Sequence, residues 1–114
     1  MNATVPGQKR YEGKRSWGKI KVTVDGAPLN PRLDLCNHSP DGFEWNYSSG
    51  GSAQLALAIL ADHLGDDMEA FNFHQRFKWT VIAELPRRYW CLTSEEIDQY
   101  VESIRNWKAS GAAA

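Results

Sequence analysis

Residues 53–64 constrain the fold more than any other stretch, because only Gln54 and Asp62 in them are firmly polar. At 100° per residue, Ala53, Ala56, Leu57, Leu60 and Leu64 form one stripe, which Leu55 and Ile59 widen. A helix apolar around so much of its circumference has to be central and largely buried. The longest apolar run, residues 55–61, falls far short of the roughly 20 residues that span a bilayer. Residues 48–52 read as a flexible approach to this helix. Gly65 suits its C-terminal cap, and Asp66 or Asp67 the N-cap of the next helix.

The remaining elements are expected to cover that helix. Residues 19–24 alternate strictly, placing Ile20, Val22 and Val24 on one face of a strand and Lys19 and Lys21 in water. Asp25-Gly26 suits a tight hairpin turn, and Pro28 and Pro31 limit the returning strand to a short or edge role. Residues 33–36 and 43–47 alternate too and are read as further strands, separated by turn formers at 37–42. A second helix is expected over 68–85, stopping at Pro86, with Ala70, Phe73, Phe77 and Val81 inward. A third opens on Thr93-Ser94-Glu95-Glu96, a capping box, and turns Ile97, Tyr100, Val101, Ile104 and Trp107 inward. The expected class is α+β: a small antiparallel sheet of three or four strands packed against three helices. Residues 1–10 read as a flexible arm, 11–108 as a single domain and 109–114 as a disordered tail.

With 114 residues the chain has room for one domain, and 42% hydrophobic and 24% charged residues exclude a disordered or collagen-like chain. The formal net charge of −1 hides segregation. Residues 1–30 carry six basic and two acidic groups, 31–71 one and seven, 72–92 four and one, and 93–114 two and four. Five Lys and Arg in the first twenty residues, with no apolar stretch behind them, argue against a signal peptide. A cytoplasmic protein without membrane contact is therefore expected. Cys36 and Cys91 then read as reduced, partly buried thiols.

Four features are candidates for chemistry. His38, Asp41 and Glu44, with His63 elsewhere, have the residue types of a metal or acid/base site. The simpler reading is stronger: Asp41 is a turn former, and His63 falls on the apolar side of its helix. Ser48 to Ser52 lead into a helix N-terminus, but match neither phosphate-binding fingerprint, and an N-cap serine explains them. No cofactor or metal is expected. Lys9, Arg10, Lys14, Arg15, Lys19 and Lys21, with Trp17, place cations beside a stacking ring, as do Arg76, Lys78, Arg87, Arg88, Tyr89 and Trp90. That pairing suits nucleic acid, although a plain solvated face is the default. Trp79 points opposite Phe73, Phe77 and Val81. It is either an exposed hot spot beside Arg76 or is covered by the basic arm or third helix.

Asn37-His38-Ser39-Pro40-Asp41-Gly42-Phe43-Glu44-Trp45, followed by Ala53-Gln54-Leu55-Ala56-Leu57-Ala58-Ile59-Leu60, resembles a family of small bacterial, phage and plasmid proteins without assigned activity. The resemblance begins near Tyr11-x-Gly13-x-Arg15, continues through Gln75-Arg76-Phe77-Lys78-Trp79 and the Leu92-Thr93 helix start, and covers about residues 10–105. Asn46-Tyr47-Ser48 replaces an expected Gly-Tyr-Gly, and Ser52 stands where proline is common; both argue against a rigid phosphate loop. The resemblance implies a phage or mobile-element product in bacterial cytoplasm. On this basis the first expectation is a small non-catalytic protein that docks on a larger bacterial protein or complex. Inhibition of a host defence system would fit that setting, with Trp79, Arg76, Asp41 and Glu44 as contacts. The alternative is a nucleic-acid-binding accessory protein using the basic N-terminal segment. A weaker one is a metal-dependent enzyme using His38, Asp41 and Glu44.

Overall fold

The strand expected over Lys19–Val24 is present, within an antiparallel sheet of four. The computed structural model describes residues 8–111. Strand β1 spans Arg10–Ser16, β2 Lys19–Val24, β3 Ala27–Pro28 and β4 Tyr89–Thr93, in the spatial order β3-β2-β1-β4. Helices α1 (Gly50–Leu64), α2 (Asp67–Thr80) and α3 (Ser94–Ala109) complete the α+β fold. Asp25-Gly26 turns β2 into β3 with φ values of 49° and 86°. Pro28 sits at the sheet edge, where its missing N–H breaks no ladder.

Every residue from 51 to 61 in α1 is buried. Tyr11, Val22, Trp90 and Leu92 on the inner sheet face join α1, the stripe Ala70–Phe73–Phe77 of α2 and Ile97, Val101 and Ile104 of α3 in one core. Helix α1 begins earlier than its apolar pattern suggests, so 48–52 is not a flexible approach. Ser49 caps it, its Oγ accepting from the Ser52 N–H at 3.2 Å. The glycines behind that cap are explained by close approach. A Cβ on Gly50 would lie 2.5 Å from the His38 carbonyl oxygen, and one on Gly51 would lie 2.9 Å from the Glu44 nitrogen.

Two expected strands, 33–36 and 43–47, are loop instead. Arg32 adopts a left-handed conformation with φ 55°, and the Leu35 N–H closes a turn onto its carbonyl at 3.0 Å. The Arg32 guanidinium grips Asp34 at 3.0 Å and Asp67 at 2.9 Å, which ties the turn to α2. Around Trp45, Gly42 at φ 126° and Asn46 at φ 78° break the extended backbone on either side. Trp45 itself is fully buried, and its Nε1 donates to the Arg87 carbonyl at 2.8 Å. Helix α2 also ends earlier than expected. Val81 leaves helical geometry, a single 3-10 turn follows at Ile82–Glu84, and Asn46 donates to the carbonyls of Ile82 and Leu85.

Strands β1 and β4 replace the two that fail. The inward positions of β1 are Tyr11, Gly13 and Arg15, so no apolar alternation marks it. Gly13 faces Trp90 across the β1–β4 ladder, and a Cβ there would lie 2.2 Å from the indole nitrogen. That indole packs edge-on against Trp45, with centroids 5.7 Å apart, and its N–H has no partner among the described residues. Cys91 lies in β4, just before α3, and Cys36 lies in the loop; both are free and half-buried.

Of the arm expected over 1–10, residues 1–7 lie outside the described residues. Lys9 exchanges backbone and side-chain hydrogen bonds with Ser94, and Arg10 opens β1, so ordered structure starts before residue 11. Of the tail expected over 109–114, Ala109 ends α3 and residues 112–114 lie outside the described residues.

Candidate functional site

The sheet has one face on the core and one in water. Cross-strand partners share a face, so Arg10, Glu12, Lys14 and Ser16 of β1 lie outward with Lys19, Lys21 and Thr23 of β2 and Tyr89, Cys91 and Thr93 of β4. Lys14 stands directly opposite Lys21. Like charges in that position repel, and the sheet carries the cost. Tyr89, 44% exposed, stands opposite Lys14 on the other side and donates to Glu12 at 2.7 Å.

The tip of the β1–β2 hairpin lies at the basic end of this face. Its two turn residues, Trp17 and Gly18, have φ values of 53° and 74°. A two-residue turn needs positive φ at both positions, and Asn, Asp or Gly normally supply the first. The chain follows that rule at Asp25-Gly26 and departs from it here. Trp17 is 98% exposed. Arg87 and Arg88 adjoin the tip, because the Arg15 N–H donates to the Arg88 carbonyl at 2.8 Å, and both side chains are exposed. Among the described residues, no carboxylate pairs with Lys14, Lys19, Lys21, Arg87 or Arg88.

The six basic residues singled out from the N-terminal segment therefore divide. Arg10, Lys14, Lys19 and Lys21 share the outer face. Lys9 is turned away to Asp62 at 3.1 Å, an oxygen that also accepts from the Tyr11 hydroxyl at 2.6 Å. Burial and that bond push the Tyr11 hydroxyl far above its ordinary range. Arg15 points inward, holding Glu44 at 2.8 Å with its guanidinium 4.8 Å over the Trp45 ring. Arg87 and Arg88, sixty residues and more along the chain, come beside the hairpin tip through the β1–β4 pairing, Arg88 standing opposite Arg15 rather than on the face of Lys14 and Lys21.

The polar loop is organised by contacts that composition did not reveal. His38 donates its backbone N–H to Gln54 Oε1 at 2.8 Å, and its Nε2 meets His74 Nε2 at 2.9 Å. Asp41 is exposed, Glu44 is paired with Arg15, and His63 bonds Asp98 at 2.6 Å. Among the described residues, no three His, Cys, Asp or Glu side chains are placed to hold a metal ion. Gln54, noted only as a polar interruption, is fully buried, accepts from His38 and Ser39 and donates to the Pro31 carbonyl at 2.6 Å. His74 is equally buried. Nothing in the local pattern of α2, where His74 sits between Phe73 and Gln75, signals a histidine pair with residue 38.

Trp79 is 59% exposed and carries Lys78 Nζ 4.9 Å over its ring. Arg76 lies 4.2 Å over Trp107 of α3 rather than free beside Trp79. Met68 and Phe71, also exposed, fall on the Trp79 side of α2.

An α+β protein with one basic, aromatic sheet face left in water is the class that these elements define. The chain belongs to a family of unknown function (DUF6166), whose model matches residues 11–103. Neither a curated protein nor a solved structure matches it. No helix among the described residues is long and apolar enough to cross a membrane.

Proposed function

We propose that the chain is a nucleic-acid-binding accessory protein that acts by binding, without catalysis, through the outer face of its sheet. The observation that carries this reading is the concentration of unpaired cations on that face and around its hairpin tip: Lys14 opposite Lys21, with Lys19, on the outer face, and Arg87 and Arg88 beside the tip. A phosphate backbone relieves the repulsion within such a group, and Trp17 and Tyr89 add stacking surface. The net charge of −1 does not oppose it, because the acidic residues are concentrated in other segments of the chain. The test is fluorescence anisotropy of a labelled oligonucleotide over a salt series. Five phosphate contacts to a single strand give a log–log salt slope of about −3.5, and neutralising Lys14, Lys21 and Arg88 to Gln flattens it by about 2. Affinity that ignores salt, or is unchanged in that variant, overturns the reading. We place the protein in bacterial cytoplasm, in a phage or mobile-element setting, on the strength of the motif resemblance.

A second reading, docking on a larger bacterial protein to block it, is favoured by one observation: Trp79, Met68 and Phe71 expose a row of large apolar groups on one side of α2. Interference with a host defence system remains the role that suits this reading. Trp79→Ala is expected to weaken capture of such a partner while leaving the melting temperature nearly unchanged. A large loss of stability would assign Trp79 to the core.

A further inference from the structure

Trp17 combines two local costs that rarely coincide. A bulky L-residue at φ 53° is sterically disfavoured, and an indole that is 98% exposed gains nothing from burial. Among the described residues no ring or cation packs against it. The β2–β3 turn, with Asp25 in the equivalent place, shows that this fold has no need of tryptophan in such a turn. Trp17 contributes nothing visible to the stability of the hairpin, so its contribution lies outside the isolated chain.

The surroundings indicate what that contribution is. The indole stands between two depressions, one bordered by Arg15, Arg87 and Arg88, the other by Lys14, Lys19 and Lys21. Three residues back from the tip, about 10 Å along the strands, lies the Lys14–Lys21 pair. An extended polyanion crossing the tip thus meets cations on both sides of one free aromatic ring. Bases within a duplex are already stacked on one another, and a projecting ring engages them only after they are unstacked. Bases of a single strand are free to stack on it.

Resting on the reading of this face as a phosphate-binding surface, we propose that its ligand is single-stranded nucleic acid, with one base stacked on Trp17 and the flanking phosphates on Lys14, Lys19, Lys21, Arg87 and Arg88. Trp17 is then the residue that distinguishes unpaired from paired strands, and the cations supply affinity common to both.

Binding of labelled oligo(dT), oligo(U) and a matched DNA duplex to the full chain tests this, using Trp17→Asn, Trp17→Phe and the Lys14/Lys21/Arg88→Gln variant. Asn suits a left-handed turn position, so that variant keeps the hairpin, which its melting curve verifies. Trp17→Asn is expected to lose about 5- to 150-fold in single-strand affinity, the range for one base–aromatic stack. Its duplex binding should be unchanged, and Trp17→Phe should retain most of the single-strand affinity. Oligo(dT) and oligo(U) should respond alike, because stacking does not read the ribose; loss on only one of them overturns the general single-strand assignment. Single-strand affinity unchanged in Trp17→Asn, but lost in the charge variant, overturns the role of Trp17 and leaves the phosphate surface standing. Equal losses on single strand and duplex also overturn it. If the wild-type chain binds no oligonucleotide, both the surface and the role fail together.

Discussion

His38 and His74 share one hydrogen bond, Nε2 to Nε2 at 2.9 Å, and its direction is fixed by what lies behind it. His74 Nδ1 donates to the Phe71 carbonyl at 2.6 Å, so a neutral His74 must accept at Nε2, from the His38 N–H. His38 Nδ1 is then left as acceptor toward the Cys36 thiol, 4.0 Å away. Protonating His74 removes its acceptor and sets two N–H groups against each other.

Burial, with smaller contributions from His38 and Lys78, holds the His74 pKa below the ordinary histidine value; the Phe71 carbonyl opposes them in part. The folded state therefore binds fewer protons than the unfolded chain below about pH 6.5, and stability falls as pH drops through that point toward the folded value. The urea midpoint should be constant above about pH 7 and decline as the pH falls below about 6.5. His74→Gln should flatten that decline; an unchanged slope would assign it to another group.

Gln54→Leu removes the partners of the His38 N–H, the Ser39 N–H and the Pro31 carbonyl at once. Leaving buried backbone groups unsatisfied costs about 1–3 kcal/mol each, with partial recovery by water, so a loss of about 3 kcal/mol is expected in urea unfolding. Accelerated amide exchange at His38 and Ser39 should accompany it. A change below about 0.5 kcal/mol would mean that the loop holds itself.

Gly13→Ala places a methyl group where the Trp90 indole now lies, 2.2 Å from its nitrogen. The indole is wedged between β1 and Trp45 and has no room to retreat. Overpacking of this kind costs about 1–3 kcal/mol, and the upper end is expected, read as a fall in urea midpoint with the m-value unchanged.

Trp17→Asn should act in the opposite sense on stability. Relief of a left-handed tryptophan gives about 0.5–1 kcal/mol, a rise of a few degrees in the melting temperature. A residue whose replacement stabilises the fold while weakening its ligand marks a functional position.

The parts of this fold that were readable are those written in local chemistry. Gly65, Asp66 and the Thr93–Glu96 box each satisfy backbone groups within a few residues, and each caps the helix end assigned to it. The alternation of β2 records a face in water and a face on the core. Strand β1 was illegible because its inward positions answer to distant partners: Gly13 to Trp90, and Arg15 to Glu44 and Trp45. The alternating 33–36 and 43–47 segments misled for the same reason, since Arg32, Gln54 and the Arg87 carbonyl decide their course. The helix angle turns Trp79 away from Phe73 and Phe77 but leaves open whether another segment covers it; its 59% exposure answers that. The basic surface could not be assembled in advance, because Arg87 and Arg88 reach the hairpin tip only through the pairing of β4 with β1.

The burial of α1 on every side has a kinetic counterpart. The sheet reaches it through Tyr11 and Asp62, α3 through Asp98 and His63, and the long loop through His38 and Gln54. None of these layers can leave without stripping apolar surface from the same eleven residues, 51–61. The amide protons at the centre of α1 should therefore exchange with solvent deuterium only when the whole molecule opens, and their rate becomes a direct gauge of global unfolding.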